Sequence, residues 1–141
     1  MEKKRIAVFD FDASDCAHTA EAVRQYYMEQ GVEASVMMFT ESSTFAYNFM
    51  DSCDAGTPYD MTFIGVDTMR GVQAAWRIRG LDEYRPMFLV SDVTEYGAEG
   101  FRLHALDYLT KPVTPLRIGE AVRRIGGEGR PWHPEIMETR N

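Results

Sequence analysis

The sequence predicts a doubly wound α/β domain built on five parallel strands. Three observations carry this expectation. Five short apolar runs recur along about 125 residues, each followed by a stretch of helical spacing. The runs are continuous rather than alternating, which suits strands buried on both faces of a parallel sheet. Turn chemistry marks the junctions, at Gly31, Pro58, Gly80, Pro86 and Pro112.

Residues 5–9 (RIAVF) form the first strand, ending in Asp10-Phe11-Asp12. A helix follows from Ser14 or Asp15 to about Gln30, because Cys16, Ala20, Val23 and Tyr27 recur at helical spacing and Gly31 supplies the stop. Residues 35–39 (SVMMF) are the second strand. Thr40 is expected to cap a second helix with Phe45, Phe49 and Met50 on one side. Residues 53–58 read as a turn-rich connection. Residues 61–64 (MTFI) form the third strand, central in the sheet, and Gly65 to Asp67 stand just beyond it.

The third helix runs from Gly71 to about Gly80, with Val72, Ala75, Trp76 and Ile78 as its apolar residues. Residues 87–90 (MFLV) form the fourth strand, closed by Ser91-Asp92. Thr94 is expected to cap a fourth helix, which carries Gly97 and Gly100. Each glycine costs up to about 1 kcal/mol relative to alanine, so this should be the least stable helix. Residues 105–109 are the fifth strand, followed by Lys111-Pro112. Thr114-Pro115 supplies an N-cap and a first-turn proline for a last helix reaching about Ile125, with Ile118, Ala121, Val122 and Ile125 apolar. Parallel strands need right-handed crossovers, which leaves the flavodoxin-like order 2-1-3-4-5. From Gly126 the pattern stops. Residues 126–141 read as a linker or C-terminal tail, the possible start of a missing output domain, in which Trp132 and Ile136 could dock on a surface.

Composition narrows the function. A net charge of −7 argues against direct nucleic-acid binding by this segment, because phosphate contacts need a basic footprint. No run approaches the roughly 20 apolar residues that span a bilayer. The opening Met-Glu-Lys-Lys-Arg leads into a strand rather than a signal peptide, so a cytoplasmic location is expected. Cys16 and Cys53 make no CxxC motif and read as buried thiols. His18, His104 and His133 share no ligand spacing with each other or with the cysteines, and no zinc site is expected.

In an open α/β sheet the chemistry gathers at the carboxyl ends of the strands. Here those ends bring Asp10 and Asp12, Gly65 and Asp67, Ser91 and Asp92, and Lys111 to one edge. Carboxylates, a hydroxyl and a lysine so placed could hold Mg²⁺ and a phosphoryl group.

With these residues the chain resembles the receiver domain of two-component response regulators, most of all their LytR/AlgR branch. The resemblance covers about residues 4–125 and is closest over residues 91–112, where EYGAEGFRLHALDYLTKP follows the family's pattern. The YDMTFI segment, the WRIR end of the third helix and the RIAVFD opening agree. The resemblance implies an acidic pair after strand one, a phosphorylated aspartate ending strand three, a Ser/Thr ending strand four and a lysine ending strand five. Asp10, Ser91 and Lys111 match, and Tyr108 takes the aromatic position whose side chain swings inward on activation.

Two positions depart from the family. Phe11 stands where the second acid belongs, and Gly65 where the phospho-acceptor belongs. Glycine offers no nucleophile, and phenylalanine removes a hard oxygen ligand. No cofactor is therefore expected, Mg²⁺ included; Asp10, Asp12 and Asp67 are the remaining metal candidates. Asp67 is also the possible displaced acceptor, although its loop looks about two residues shorter than usual.

Plainer readings stand beside these. In these, Lys111 serves only to pair with Asp10 or Asp12, Ser91 to cap the connection into helix four, and Asp107 to cap a turn or helix. Trp76 reads as packing or as a surface aromatic. The last helix is expected to expose Arg117, Glu120, Arg123 and Arg124. The reading that emerges is a non-enzymatic pseudo-receiver acting through protein contacts in a phosphorelay and in transcription regulation. Its expected partners are a histidine kinase or an output domain, with a homodimer through the helix 4–strand 5–helix 5 face. The alternatives are a working receiver phosphorylated at Asp67 and a flavodoxin-like cofactor-binding protein. The last is disfavoured because the 12–19 loop lacks a glycine for close phosphate approach and carries two extra acids.

Overall fold

Continuous apolar strands must be covered on both faces, and the chain does this with two helical layers. A computed structural model describes residues 3–125. Its elements are β1 (Lys4–Phe9), α1 (Ala13–Glu29), β2 (Ala34–Phe39), α2 (Ser42–Asp54), β3 (Met61–Gly65) and α3 (Met69–Leu81). They continue through β4 (Met87–Ser91), α4 (Gly97–Arg102), β5 (Asp107–Thr110) and α5 (Pro115–Val122). The sheet is parallel, in the order β2-β1-β3-β4-β5, as the sequence predicts.

Alternation along the strands divides the core in two. Ile6, Val8, Phe63, Phe88 and Leu109 face α1 and α5, against Cys16, Val23 and Ile118. Ala7, Phe9, Ile64 and Leu89 face α2 and α3, against Phe45, Phe49, Val72 and Ile78. The central strands β3 and β4 are buried throughout, whereas the edge strand β2 leaves Met37 and Met38 exposed. No helix among the described residues is long and apolar enough to cross a membrane.

Several local expectations need correction. Helix α2 is capped at Glu41 rather than Thr40, without a side-chain hydrogen bond. It runs on through Cys53 and stops before Gly56, whose φ of +77° suits glycine, so Cys53 is helical and only half-buried. Met50 lies off the Phe45–Phe49 face and is exposed. Trp76 is likewise turned away from the Val72–Ala75 face and donates its indole N–H to Glu99 on α4 at 3.0 Å. Thr94 offers α4 only its carbonyl, which accepts from the Gly97 N–H; the N-cap position falls to Tyr96.

Ala105 and Leu106 close the turn from α4, so β5 begins two residues later than expected. Asp107 is therefore no turn or helix cap. It is a fully buried strand residue whose carboxylate meets Arg117 of α5 at 2.9 Å, which also leaves Arg117 only partly exposed. Thr114 and Pro115 cap α5 as predicted, but the regular helix ends at Val122. Ile125 lies in the turn beyond it and still packs on the core. The expected linker or tail, with Trp132, His133 and Ile136, lies outside the described residues.

Candidate functional site

The carboxyl ends of β1, β3, β4 and β5 form one polar rim, organised around Lys111. Its side chain is 6% exposed, and the ammonium bonds three carboxylates. Asp10, at the end of β1, accepts at 2.7 Å; Asp15, in the first turn of α1, accepts at 2.9 Å; Asp67, in the loop after β3, is the third. The Lys111–Pro112 peptide that follows is cis.

Each acid is fixed a second time or placed by its element. The other oxygen of Asp10 accepts the Asp12 N–H at 2.9 Å. Asp67 Oδ1 accepts from the Ser91 hydroxyl at 3.0 Å and the Asp92 N–H at 2.6 Å. Ser91 in turn accepts the Val93 N–H at 3.0 Å, so it both caps the β4–α4 connection and holds Asp67. Tyr108 is buried, with its hydroxyl donating to the Val93 carbonyl at 2.9 Å.

Asp12, expected in this group, takes another role. Its carboxylate accepts the Asp15 N–H at 2.9 Å and caps α1, which turns it away from Lys111. Asp15 stands in the cluster instead. Sequence reasoning missed it, although an acid three residues into a helix that starts at the rim was the available signal. Phe11 leaves the site altogether. Its ring packs on Phe9 with centroids 4.9 Å apart, and the Arg70 guanidinium sits 4.2 Å above it.

Position 65 is filled from the side. A Cβ built on Gly65 would fall 2.2 Å from Asp10 Oδ2 and 2.5 Å from its Cγ. Gly71 is also needed for space, since a Cβ there would meet the Gly65 carbonyl oxygen at 2.3 Å. The first turn of α3 thus sits directly on the end of β3.

The electrostatics follow from depth. Burial pushes the Asp10 carboxyl above its ordinary value, against the bonds from Lys111 and the Asp12 N–H. Asp67 is also penalised by burial, but Lys111, the Asp92 N–H and Ser91 outweigh it and hold the carboxyl below its ordinary value. Lys111 loses by burial and gains more from the three acids, so its charge is held more firmly than that of a free lysine. Oxygens of Asp10, Asp15 and Asp67 lie within 4.8 Å of one another, and these are the residues that could hold a cation. The same three acids already bond the Lys111 ammonium, while Phe11 and Gly65 add no side-chain oxygen.

An open parallel sheet in the order 2-1-3-4-5 with helices on both faces is the flavodoxin-like receiver fold, and here its carboxyl rim carries acids, a hydroxyl and a lysine. Several solved structures of similar shape are response regulators or their receiver domains. A response regulator from Thermotoga maritima is 18% identical with a TM-score of 0.65, covering 88% of this chain and 98% of that one. A receiver domain protein from Clostridium thermocellum is 16% identical with a TM-score of 0.67, covering 89% and 96%. The CheX–CheY–BeF3–Mg complex from Borrelia burgdorferi matches at 11% identity and a TM-score of 0.69, covering 87% and 89%. No family model and no curated protein sequence matches the chain.

Proposed function

We propose that the chain is a receiver-like signalling module of a two-component phosphorelay, allied to the LytR/AlgR branch, that works by protein contact without aspartyl phosphorylation. One observation carries the reading: the place of an acceptor side chain on Gly65 is taken by the carboxylate of Asp10. The lysine that would steady a phosphoryl group is engaged by three acids of the chain itself. In this reading no Mg²⁺ is resident and the chain is not an enzyme. Its partners are a histidine kinase or an output domain of a cytoplasmic transcription regulator. The α4–β5–α5 face, with Phe101 and Leu116 exposed, serves a homodimer.

A second reading is favoured by the bonds of Asp67. Its ionised carboxylate lies between Ser91 and Lys111, where a displaced acceptor would need to be. Intact-protein mass after incubation with acetyl phosphate and Mg²⁺ separates the two. No mass gain, under conditions that label an ordinary receiver, supports the contact module. A gain of one phosphoryl group that disappears in Asp67→Asn makes Asp67 the acceptor and overturns the first reading.

A further inference from the structure

A second concave site lies away from the carboxylate rim, between the C-terminal half of α3 and the end of α4. It is a groove of about 470 Å³ lined by Trp76, Arg79, Glu83, Tyr84, Arg102 and His104, among others. That volume falls within the range of small-molecule sites. Two aromatic side chains stand exposed beside it, Tyr84 at 89% and Trp76 at 43%. Trp76 is fixed by its bond to Glu99, which also holds Arg102 at 3.1 Å.

Arg79 sets the charge. It is 9% exposed, and its guanidinium donates to four backbone carbonyls: Leu103 at 2.6 Å, Arg85 at 2.8 Å, and Asp82 and His104 at 3.2 Å. A guanidinium has five N–H donors, so one remains beyond these four bonds. Among the described residues no carboxylate forms an ion pair with it; the nearby Asp82 carboxylate is engaged by Arg85 and two backbone N–H groups. Burial pulls this guanidinium below its ordinary pKa, and the charge of the nearby Asp82 carboxylate offsets this only in part. Carbonyl dipoles satisfy its geometry without neutralising it. Of the other charges on the groove, Arg102 is offset by Glu99, and Glu83 is the one further acid on the lining.

We propose that this groove binds a small planar aromatic carboxylate, its ring against Trp76 and Tyr84 and its charge met by Arg79. A flat ring gains the stacking area that the two exposed aromatics offer. A carboxylate supplies the charge-assisted hydrogen bond that a neutral group lacks. Such a ligand would touch α3 and the loop that follows it. The proposal does not depend on the state of the carboxylate rim.

The test uses the full chain with Trp132→Phe, so that Trp76 is the remaining indole, and 1-naphthoate as the probe. The neutral 1-naphthamide has nearly the same shape. The expected result is a saturable shift of the Trp76 indole N–H resonance, with naphthoate bound about tenfold more tightly than naphthamide. A Trp76→Ala/Tyr84→Ala variant with unchanged unfolding midpoint should lose binding, followed on the ligand signals. Equal affinity for the two probes, no saturable shift at millimolar naphthoate, or shifts confined to the Lys111 rim would overturn the proposal. So would a Trp76 resonance that moves with protein concentration alone, since a second copy would then cover the groove.

Discussion

The carboxylate of Asp10 occupies the space above Gly65: a Cβ on residue 65 would stand 2.2 Å from Asp10 Oδ2. The two residues are complementary. Because Gly65 projects nothing, Asp10 can lean across the end of β3, with Lys111 on one oxygen and the Asp12 N–H on the other. The same arrangement that fills the space at residue 65 also stabilises the rim.

Gly65→Ala should therefore destabilise the fold by about 1–3 kcal/mol, the usual cost of overpacking. Asp10 must move, and in moving it gives up one of its two bonds. Combined with Asp10→Ala, the glycine substitution should cost far less than it does alone. Urea unfolding of the four proteins gives the coupling. Additivity within about 0.5 kcal/mol would mean that the two side-chain positions do not compete.

In the receiver reading, introducing two acids as Gly65→Asp with Phe11→Asp should create a Mg²⁺ site. The variant is expected to be less stable than the parent in EDTA, because Asp10 is displaced and the Phe11 ring is lost from its place against Phe9. Its melting temperature should rise with Mg²⁺ while that of the parent does not. A folded variant with no Mg²⁺ response would mean that residues 11 and 65 are not the receiver ligand positions.

Lys111→Met leaves three acids facing one another without their cation. Removing one partner from a buried ion pair costs about 3–5 kcal/mol, and a loss of about 3 kcal/mol at neutral pH is expected here. The deficit should shrink as the solution is acidified, since protonation relieves the repulsion that the lysine had neutralised. A deficit that stays constant between neutral pH and pH 4 would point to lost packing instead.

Two acids set the acid sensitivity of the parent protein. Asp67 and Asp82 are each opposed by burial but held below the ordinary carboxyl value of 3.8, by Lys111, Asp92 and Ser91 in one case and by Arg85 and neighbouring N–H groups in the other. Their contribution is present above that value and is lost as pH falls through the lower folded-state values. Asp10 has the opposite sign. Its folded value is raised, so its share is present at low pH and is lost as pH rises through it. Asp67→Asn should thus flatten the decline in melting temperature below pH 4, whereas Asp10→Asn should act above that pH, steepening the fall in stability between neutral pH and pH 4.

Arg79→Met should cost about 3–4 kcal/mol, because four carbonyls on the α3–β4 loop and the α4–β5 corner lose their donor together. Arg79→Lys keeps the charge but not the planar fork, and should recover less than half of the loss. Chemical denaturation measures both. Equal stability of the Lys variant and the parent would show that charge, not the fork, matters at this corner.

Strand order and helix placement were legible in the sequence. The reason is physical: burial on both faces imposes continuous apolar runs, right-handed crossovers restrict the topology, and strand ends place their next residues at one rim. Asp10, Asp67, Ser91 and Lys111 could therefore be assigned to that rim by position. What each side chain does there was decided only by the tertiary structure. The axis of α1 relative to β1 makes Asp12 a cap and sends Asp15 to Lys111. A bond to Glu99 of α4 holds Trp76 off the core, and β5 against α5 buries Asp107 beside Arg117. The Asp12 cap is local, its carboxylate meeting the N–H three residues on, but the others depend on contacts between segments far apart in the chain, which local spacing encodes poorly. The filling of the space at Gly65 by Asp10 is one of them: it required two strand ends to be placed side by side.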